Sequence, residues 1–147
     1  FVKFDEVPSI GTATTISHYG PISDKNVQLG KTYVYRIKMI DKNGEFKYSN
    51  EKYITLLSDG IALSIDGVYP NPVQNSANLN ITLANEANVQ VKLYNVNGME
   101  ISTLYDGSLS TGTKELRIDT QNLASGVYNA VIKINGNIFV KSFTVIK

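Results

Sequence analysis

The sequence predicts an all-β protein, an antiparallel β-sandwich preceded by a smaller β unit. Three observations carry that prediction. Turn signals recur about every 8 to 12 residues, the spacing of a sandwich. Asn-Gly occurs at Asn43-Gly44, Asn97-Gly98 and Asn135-Gly136. Each pair is flanked by alternating apolar residues, and each predicts a type I′ hairpin, whose central positions both need φ > 0. Apolar residues between the turns alternate with period 2, the mark of antiparallel strands with one buried and one wet face. No segment has a convincing helical period.

Taken in order, Tyr33, Tyr35, Ile37 and Met39 share one face of a single strand, with Val34, Arg36, Lys38 and Ile40 on the other. Leu79, Ile81 and Leu83 alternate with Asn78, Asn80 and Thr82. Val89, Val91 and Leu93 alternate with Gln90, Lys92 and Tyr94. Leu116 and Ile118 form a short strand face, and Tyr128, Ala130, Ile132 and Ile134 a longer one. Phe139, Phe143 and Val145 share the face of a closing strand, with Lys141 falling among them. Asp59-Gly60, Asp66-Gly67 and Asp106-Gly107 add further turns. The stretch Ser58–Gly67, bounded by Asp-Gly pairs and rich in small residues, reads as an exposed, weakly structured linker. It divides the chain into residues 1–57, a linker at 58–67, and a second unit at 68–147.

Composition narrows the function. The 147 residues carry 42% hydrophobic side chains, ordinary for a globular chain, and a formal charge of +1. From residue 61 onward six basic side chains (Lys92, Lys114, Arg117, Lys133, Lys141, Lys147) face six acidic ones (Asp66, Glu86, Glu100, Asp106, Glu115, Asp119). With no basic patch to grip phosphates, nucleic acid is not an expected partner. No apolar run approaches the roughly 20 residues of a membrane helix, so no transmembrane segment is expected. The absence of cysteine removes thiol catalysis, disulfides and thiolate metal sites. The sequence opens at Phe1 with neither an initiator Met nor a signal peptide, and reads as the tail of something longer.

No catalytic residue, metal site or cofactor is expected. Isolated Asp and Glu on strands give no carboxylate pair at a recognisable spacing. His18 is the one histidine and sits in a polar turn-like stretch, where a solvated loop residue explains it. Asp41-Lys42-Asn43-Gly44-Glu45 has the look of a calcium loop, but lacks the ligand series over twelve residues and reads as a turn. Asn80-Ile81-Thr82 matches a glycosylation sequon but lies mid-strand. The nine tyrosines fall mostly within strand patterns, which favours structural roles over a sugar-binding platform.

The distinctive element is Tyr69-Pro70-Asn71-Pro72. Its prolines fix φ at two positions, push Tyr69 and Asn71 toward extended geometry, and remove two backbone donors. Such a segment enters a domain without serving as a central strand. Keeping the preceding chain from pairing with a sheet edge would be explanation enough for it.

Four further motifs follow it in order. The hairpin Val89-Gln90-Val91-Lys92-Leu93-Tyr94-Asn95-Val96-Asn97-Gly98-Met99-Glu100-Ile101 is followed by Leu123-Ala124-Ser125-Gly126-Val127-Tyr128. Lys141-Ser142-Phe143-Thr144-Val145-Ile146-Lys147 closes the series, and the alternating strand Leu79–Leu83 lies near its start. In this order, they resemble the C-terminal sorting domain of the type IX (Por) secretion system of Bacteroidetes over essentially all of residues 68–147. Asn95 and Met99 depart from the family's common acidic residue and Lys, a change of surface charge and not of turn logic. Residues 30–49, from Gly30 through Tyr33, Tyr35, Asp41 and Gly44 to Ser49, more faintly resemble the back end of a fibronectin type III-like domain. About three leading strands of a full domain would be missing.

The resemblance implies an immunoglobulin-like sandwich that acts as an export signal. A protein bearing it would cross the outer membrane through the type IX translocon to the cell surface or medium. A surface sorting peptidase would remove the domain within Ser58–Gly67, and attachment to lipopolysaccharide is one implied fate. The sorting-motif residues are Tyr69, Pro70, Asn71, Pro72, Leu93, Tyr94, Asn97, Gly98, Gly126, Val127, Tyr128, Lys141, Val145 and Lys147. Gly126 also reads simply as a turn glycine and Tyr128 as a half-buried strand tyrosine, while Lys141 would snorkel beside Phe139 and Phe143. The closing strand is the expected export contact. Two other readings stand beside this one. The chain could be a retained structural, filament or adhesin subunit, pairing its open edges with a second copy or with upstream parts of the same protein. It could also be the non-catalytic tail of a secreted hydrolase.

Overall fold

The computed structural model describes residues 1–8 and 21–147. His18 lies outside the described residues. Every regular element among them is a strand: β1 (Lys31–Tyr35), β2 (Lys38–Ile40), β3 (Phe46–Tyr48), β4 (Lys52–Leu56), β5 (Ala62–Ile65), β6 (Ser76–Leu83), β7 (Ala87–Asn95), β8 (Glu100–Leu109), β9 (Gly112–Asp119), β10 (Gly126–Ile134) and β11 (Asn137–Val145). They form a five-stranded sheet in the order β1-β4-β5-β6-β9, a four-stranded sheet in the order β11-β10-β7-β8, and the separate hairpin β2-β3. All strand pairs are antiparallel. From β5 onward the chain is an immunoglobulin-like sandwich.

The core lies between the β5-β6-β9 part of the first sheet and the whole of the second. The predicted faces supply it: Leu79, Ile81 and Leu83 from β6, Val89, Val91 and Leu93 from β7, and Leu116 and Ile118 from β9. From β10 come Tyr128, Ala130, Ile132 and Ile134, and from β11 Phe143 and Val145. Alternation puts each set on one side of its sheet, so burying one member buries all.

Three sequence expectations are corrected. Ser58–Gly67 is not an exposed linker, because β5 runs through it. Ile61, Leu63, Ser64 and Ile65 are buried, and Leu63, Ser64 and Ile65 pair with Leu83, Thr82 and Ile81 of β6. Ile61, Leu63 and Ile65 alternate as a strand should, and filling the edge of β6 outweighs the small residues between them. Residues 33–40 are two strands, not one. The chain leaves the β4 partner after Tyr35 and turns into the β2-β3 hairpin, with the Ile37 N–H donating to Ser49 Oγ at 2.9 Å. At this break the Arg36 guanidinium lies 3.8 Å over the Phe1 ring and 3.9 Å over the Tyr48 ring.

The third correction concerns turn type. Asn135-Gly136, with φ of 46° and 89°, is the type I′ pair; Asn135 is the one non-glycine at positive φ among the described residues. At Asn43-Gly44 and Asn97-Gly98 the glycine alone is left-handed, at 88° and 75°. These are longer loops, in which Asn95 N–H donates to Met99 O at 3.0 Å and Asp41 N–H to Glu45 O at 2.8 Å. The Asn95 Oδ1 selects this form by accepting from the N–H groups of both Asn97 and Met99, each at 3.0 Å.

Candidate functional site

One end of the sandwich gathers most of the sorting-motif residues. After β5 the chain keeps to the first sheet as far as Tyr69, whose N–H and C=O pair with Asn78 of β6 at 3.0 and 2.8 Å. It then crosses to the second sheet, where Val73 pairs in parallel with Val145 of β11. Val73 N–H donates to Thr144 O at 2.8 Å, and Val73 O accepts from Ile146 N–H at 2.9 Å. Pro70 and Pro72, both preceded by cis peptide bonds, occupy the crossing, where no ladder bond is asked of them. Between them the Asn71 Oδ1 accepts from Thr144 N–H at 2.9 Å, as a strand carbonyl would. The segment therefore joins the two sheets and pairs with the edge of β11, more than the barrier to pairing that its prolines alone suggest.

Lys147 seals the same end. Its ammonium donates to the carbonyls of Thr120 (2.8 Å), Gln121 (3.1 Å) and Gln74 (3.4 Å), and its N–H to Ser125 Oγ at 3.1 Å. Thr120, fully buried, ties the same loops together through its N–H to Asn75 O at 3.0 Å. A cation amid converging carbonyls makes charge-assisted hydrogen bonds that tie the two loops to the end of the chain's last strand. The ammonium of Lys147 is thus engaged with the loops at this end, on the exposed surface of the fold.

The remaining motif residues sort by burial. Gly126 opens β10 opposite Val145. Tyr128 is buried rather than half-buried, its ring stacked on Phe143 with centroids 6.0 Å apart and its hydroxyl donating to Ala124 O at 3.1 Å. Leu93 and Val145 are core. Tyr94 is half-buried, and Asn97 and Gly98 form an exposed turn at this same end. Tyr69, at 78% exposure, and Val127, at 44%, present side chains outward. Lys141 sits apart, half-buried in the middle of β11 opposite the buried Ala130. Sequence reasoning missed Val73, Asn95 and Thr120. Val73 and Asn95 lie inside or beside quoted motifs, whereas the Thr120 contacts join positions 45 residues apart and leave no local signal.

Charge is sparse here. On the outer face of β7-β8, Lys92 Nζ meets Glu100 Oε2 at 2.9 Å. The hydrogen bond from Lys92 holds the Glu100 carboxyl below its ordinary range, and the same bond raises Lys92. Both are solvated, so the pair fixes local geometry more than it stabilises the domain. Among the described residues no three His, Cys, Asp or Glu side chains are grouped to hold a metal, and no helix is long and apolar enough to cross a membrane. What the site offers is hydrogen-bonded backbone and shaped surface, the materials of recognition.

The family model described as the secretion system C-terminal sorting domain matches residues 67–147, more than half the chain. Among solved structures, dimeric latent PorU from Porphyromonas gingivalis aligns with a TM-score of 0.47 at 18% identity, over 81% of this chain and 12% of that one. PorZ of the same organism, described as an essential bacterial surface component of the type IX secretion system, aligns with a TM-score of 0.38 at 20% identity, over 65% of this chain and 15% of that one. The chain thus spans a small fraction of either protein. No curated protein matches it. The chain belongs to the secretion system C-terminal sorting domain family, the non-catalytic tails through which the type IX system exports the proteins that carry them to the cell surface or medium.

Proposed function

We propose that the chain is the export module of a longer protein, carried across the outer membrane by the type IX translocon. At the surface it is handed to a sorting peptidase, with lipopolysaccharide attachment as one outcome for the cargo. Residues 1–57 then form a fibronectin type III-like unit ahead of the sorting sandwich. The observation that carries this reading is the convergence of motif segments far apart in sequence, Tyr69–Val73, Gly126–Tyr128 and Val145–Lys147, at one end of one fold. That pattern suits a signal read from a folded surface. Buried members such as Leu93, Tyr128 and Val145 build the surface, and exposed ones such as Tyr69 and Val127 are available to be read.

The test is to fuse the full 147-residue chain behind a periplasmic reporter in a type IX-competent host and in one lacking the translocon. Reporter outside the first host and retained in the second is expected. Retention in both would overturn the proposal.

A second reading, a retained structural subunit, is favoured by one feature. The β2-β3 hairpin exposes apolar side chains, with Ile40 at 59%, Met39 at 52% and Phe46 at 52%. Light scattering across a concentration series tests it; a monomer throughout would remove it.

A further inference from the structure

Of the four edge strands of the two sheets, β1 lies outside the sandwich, and the other three, β8, β9 and β11, could accept another chain and are defended differently. On β8 the register with β7 slips twice, between Val91 and Lys92 and again between Leu93 and Tyr94, so the edge is irregular. The outward face of β9 carries Glu115, Arg117 and Asp119, opposite the polar Asn80, Asn78 and Ser76 of β6. Neither suits a strand coming from outside. β11 is unlike them. Its pairing with β10 runs without a slip from Gly126↔Val145 to Ile134↔Asn137.

The free groups of that edge can be identified. Thr144 turns its N–H and C=O away from β10, toward Asn71 and Val73. In an antiparallel ladder such groups recur at every second residue. Ser142, Val140 and Ile138 therefore present N–H and C=O groups outward as well, and among the described residues these have no hydrogen-bond partner. Their side chains lie on the outer face without charge, Ile138 at 65% and Val140 at 54% exposure. Val73 already shows that this edge takes an extended segment. It pairs there in parallel, and Asn71 supplies one more acceptor just before the open stretch begins.

Resting on the export function proposed above, we infer that the edge of β11 from Ile138 to Ser142 is the site where an extended, uncharged segment of the secretion machinery adds as a further strand, continuing the row begun by Val73. The length of the opening selects this occupant. A stretch of five residues is far too short for the roughly 1,000 Å² or more that a stable dimer of two such chains needs. It matches the short peptides that bind by strand addition, where main-chain bonds give affinity and flanking side chains give selectivity. Short, releasable contact also suits a tail that is passed from one component to the next. Lys141, pointing inward over Ala130, limits the edge to a partner without a cation at the facing position.

The experiment uses the full chain behind the periplasmic reporter. Val140→Pro deletes one outward N–H without touching the ladder to β10, and Val140→Lys places a charge on the open edge. Glu115→Pro, on the outer edge of β9, is the control. Folding of each is checked by thermal melting followed by circular dichroism. Export of both Val140 variants should fall about tenfold, the cost of one or two main-chain bonds, while Glu115→Pro exports like the parent. A photo-crosslinking residue at Val140, and not one at Glu115, should capture a secretion component. If the parent is exported and the folded Val140 variants are exported equally well, the edge proposal is wrong and the export function stands. If the parent itself is retained, the export function has failed first. A concentration-dependent dimer abolished by Val140→Pro would give the edge to a second copy and overturn the inference.

Discussion

The two parts of the chain, strands β1 to β4 and strands β5 to β11, have similar sequence texture and opposite physical situations. Every buried hydrophobic residue among those described lies between Leu57 and Val145. All six residues of β2 and β3 are exposed. The first part holds its shape by borrowing: β4 pairs with β5 through Thr55↔Leu63 and Leu56↔Ala62, and β1 pairs with β4. The second part owns a core closed on both sides. The lesson is that alternation measures a strand's readiness to be buried, and only topology decides whether a second layer arrives to cover it.

That contrast can be broken most directly in the core. Phe143→Ala, at a site 1% exposed, should cost about 3–5 kcal/mol in urea unfolding, against under about 0.5 kcal/mol for Phe46→Ala in the exposed hairpin. Equal losses would mean that the two parts share one core. Next in size is Lys147→Met, which keeps the aliphatic stem but leaves the Gln74, Thr120 and Gln121 carbonyls without their cation. A loss of about 1–2 kcal/mol is expected, with no change in the stability of the β2-β3 hairpin. Smaller again is Asn71→Ala, expected to cost about 1 kcal/mol and to speed hydrogen exchange at the Thr144 amide in particular. Unchanged exchange there would remove Asn71 as a clasp.

The smallest effect is a pH dependence at the joint between the parts. Asp59 lies in the β4-β5 turn, and the Asn135 side-chain amide, 2.9 Å from its Oδ2, is the main cause holding its carboxyl below the ordinary value; the Ile61 N–H adds to it. A carboxyl depressed on folding contributes stability above its unfolded value and loses that contribution as pH falls through the folded one. Melting temperature should therefore drop on acidification below the ordinary carboxylate range, and Asp59→Asn should flatten that drop. An identical slope in the two proteins would show that the joint does not titrate.

The strand faces of the sandwich were legible because a period of 2 specifies register wherever one side is buried, as in Tyr128, Ala130, Ile132 and Ile134. The motif residues were legible as a set. Their division of labour was not. Lys147 reads in sequence as a free basic residue, and only the folded loops at 74 and 120–121 reveal that its ammonium is held by three backbone carbonyls. β5 is hidden in the sequence for a different reason: Ile61, Leu63 and Ile65 do alternate, but the strand is only four residues long and lies between two Asp-Gly turn signals.

The seating of β11 has a temporal consequence. Phe143 and Val145 fill the middle of the sandwich, and Lys147 fastens loops laid down 27 and 73 residues earlier. A nascent polypeptide broken off anywhere upstream of these residues would have an unfilled interior and unfastened loops, whatever had been made correctly before.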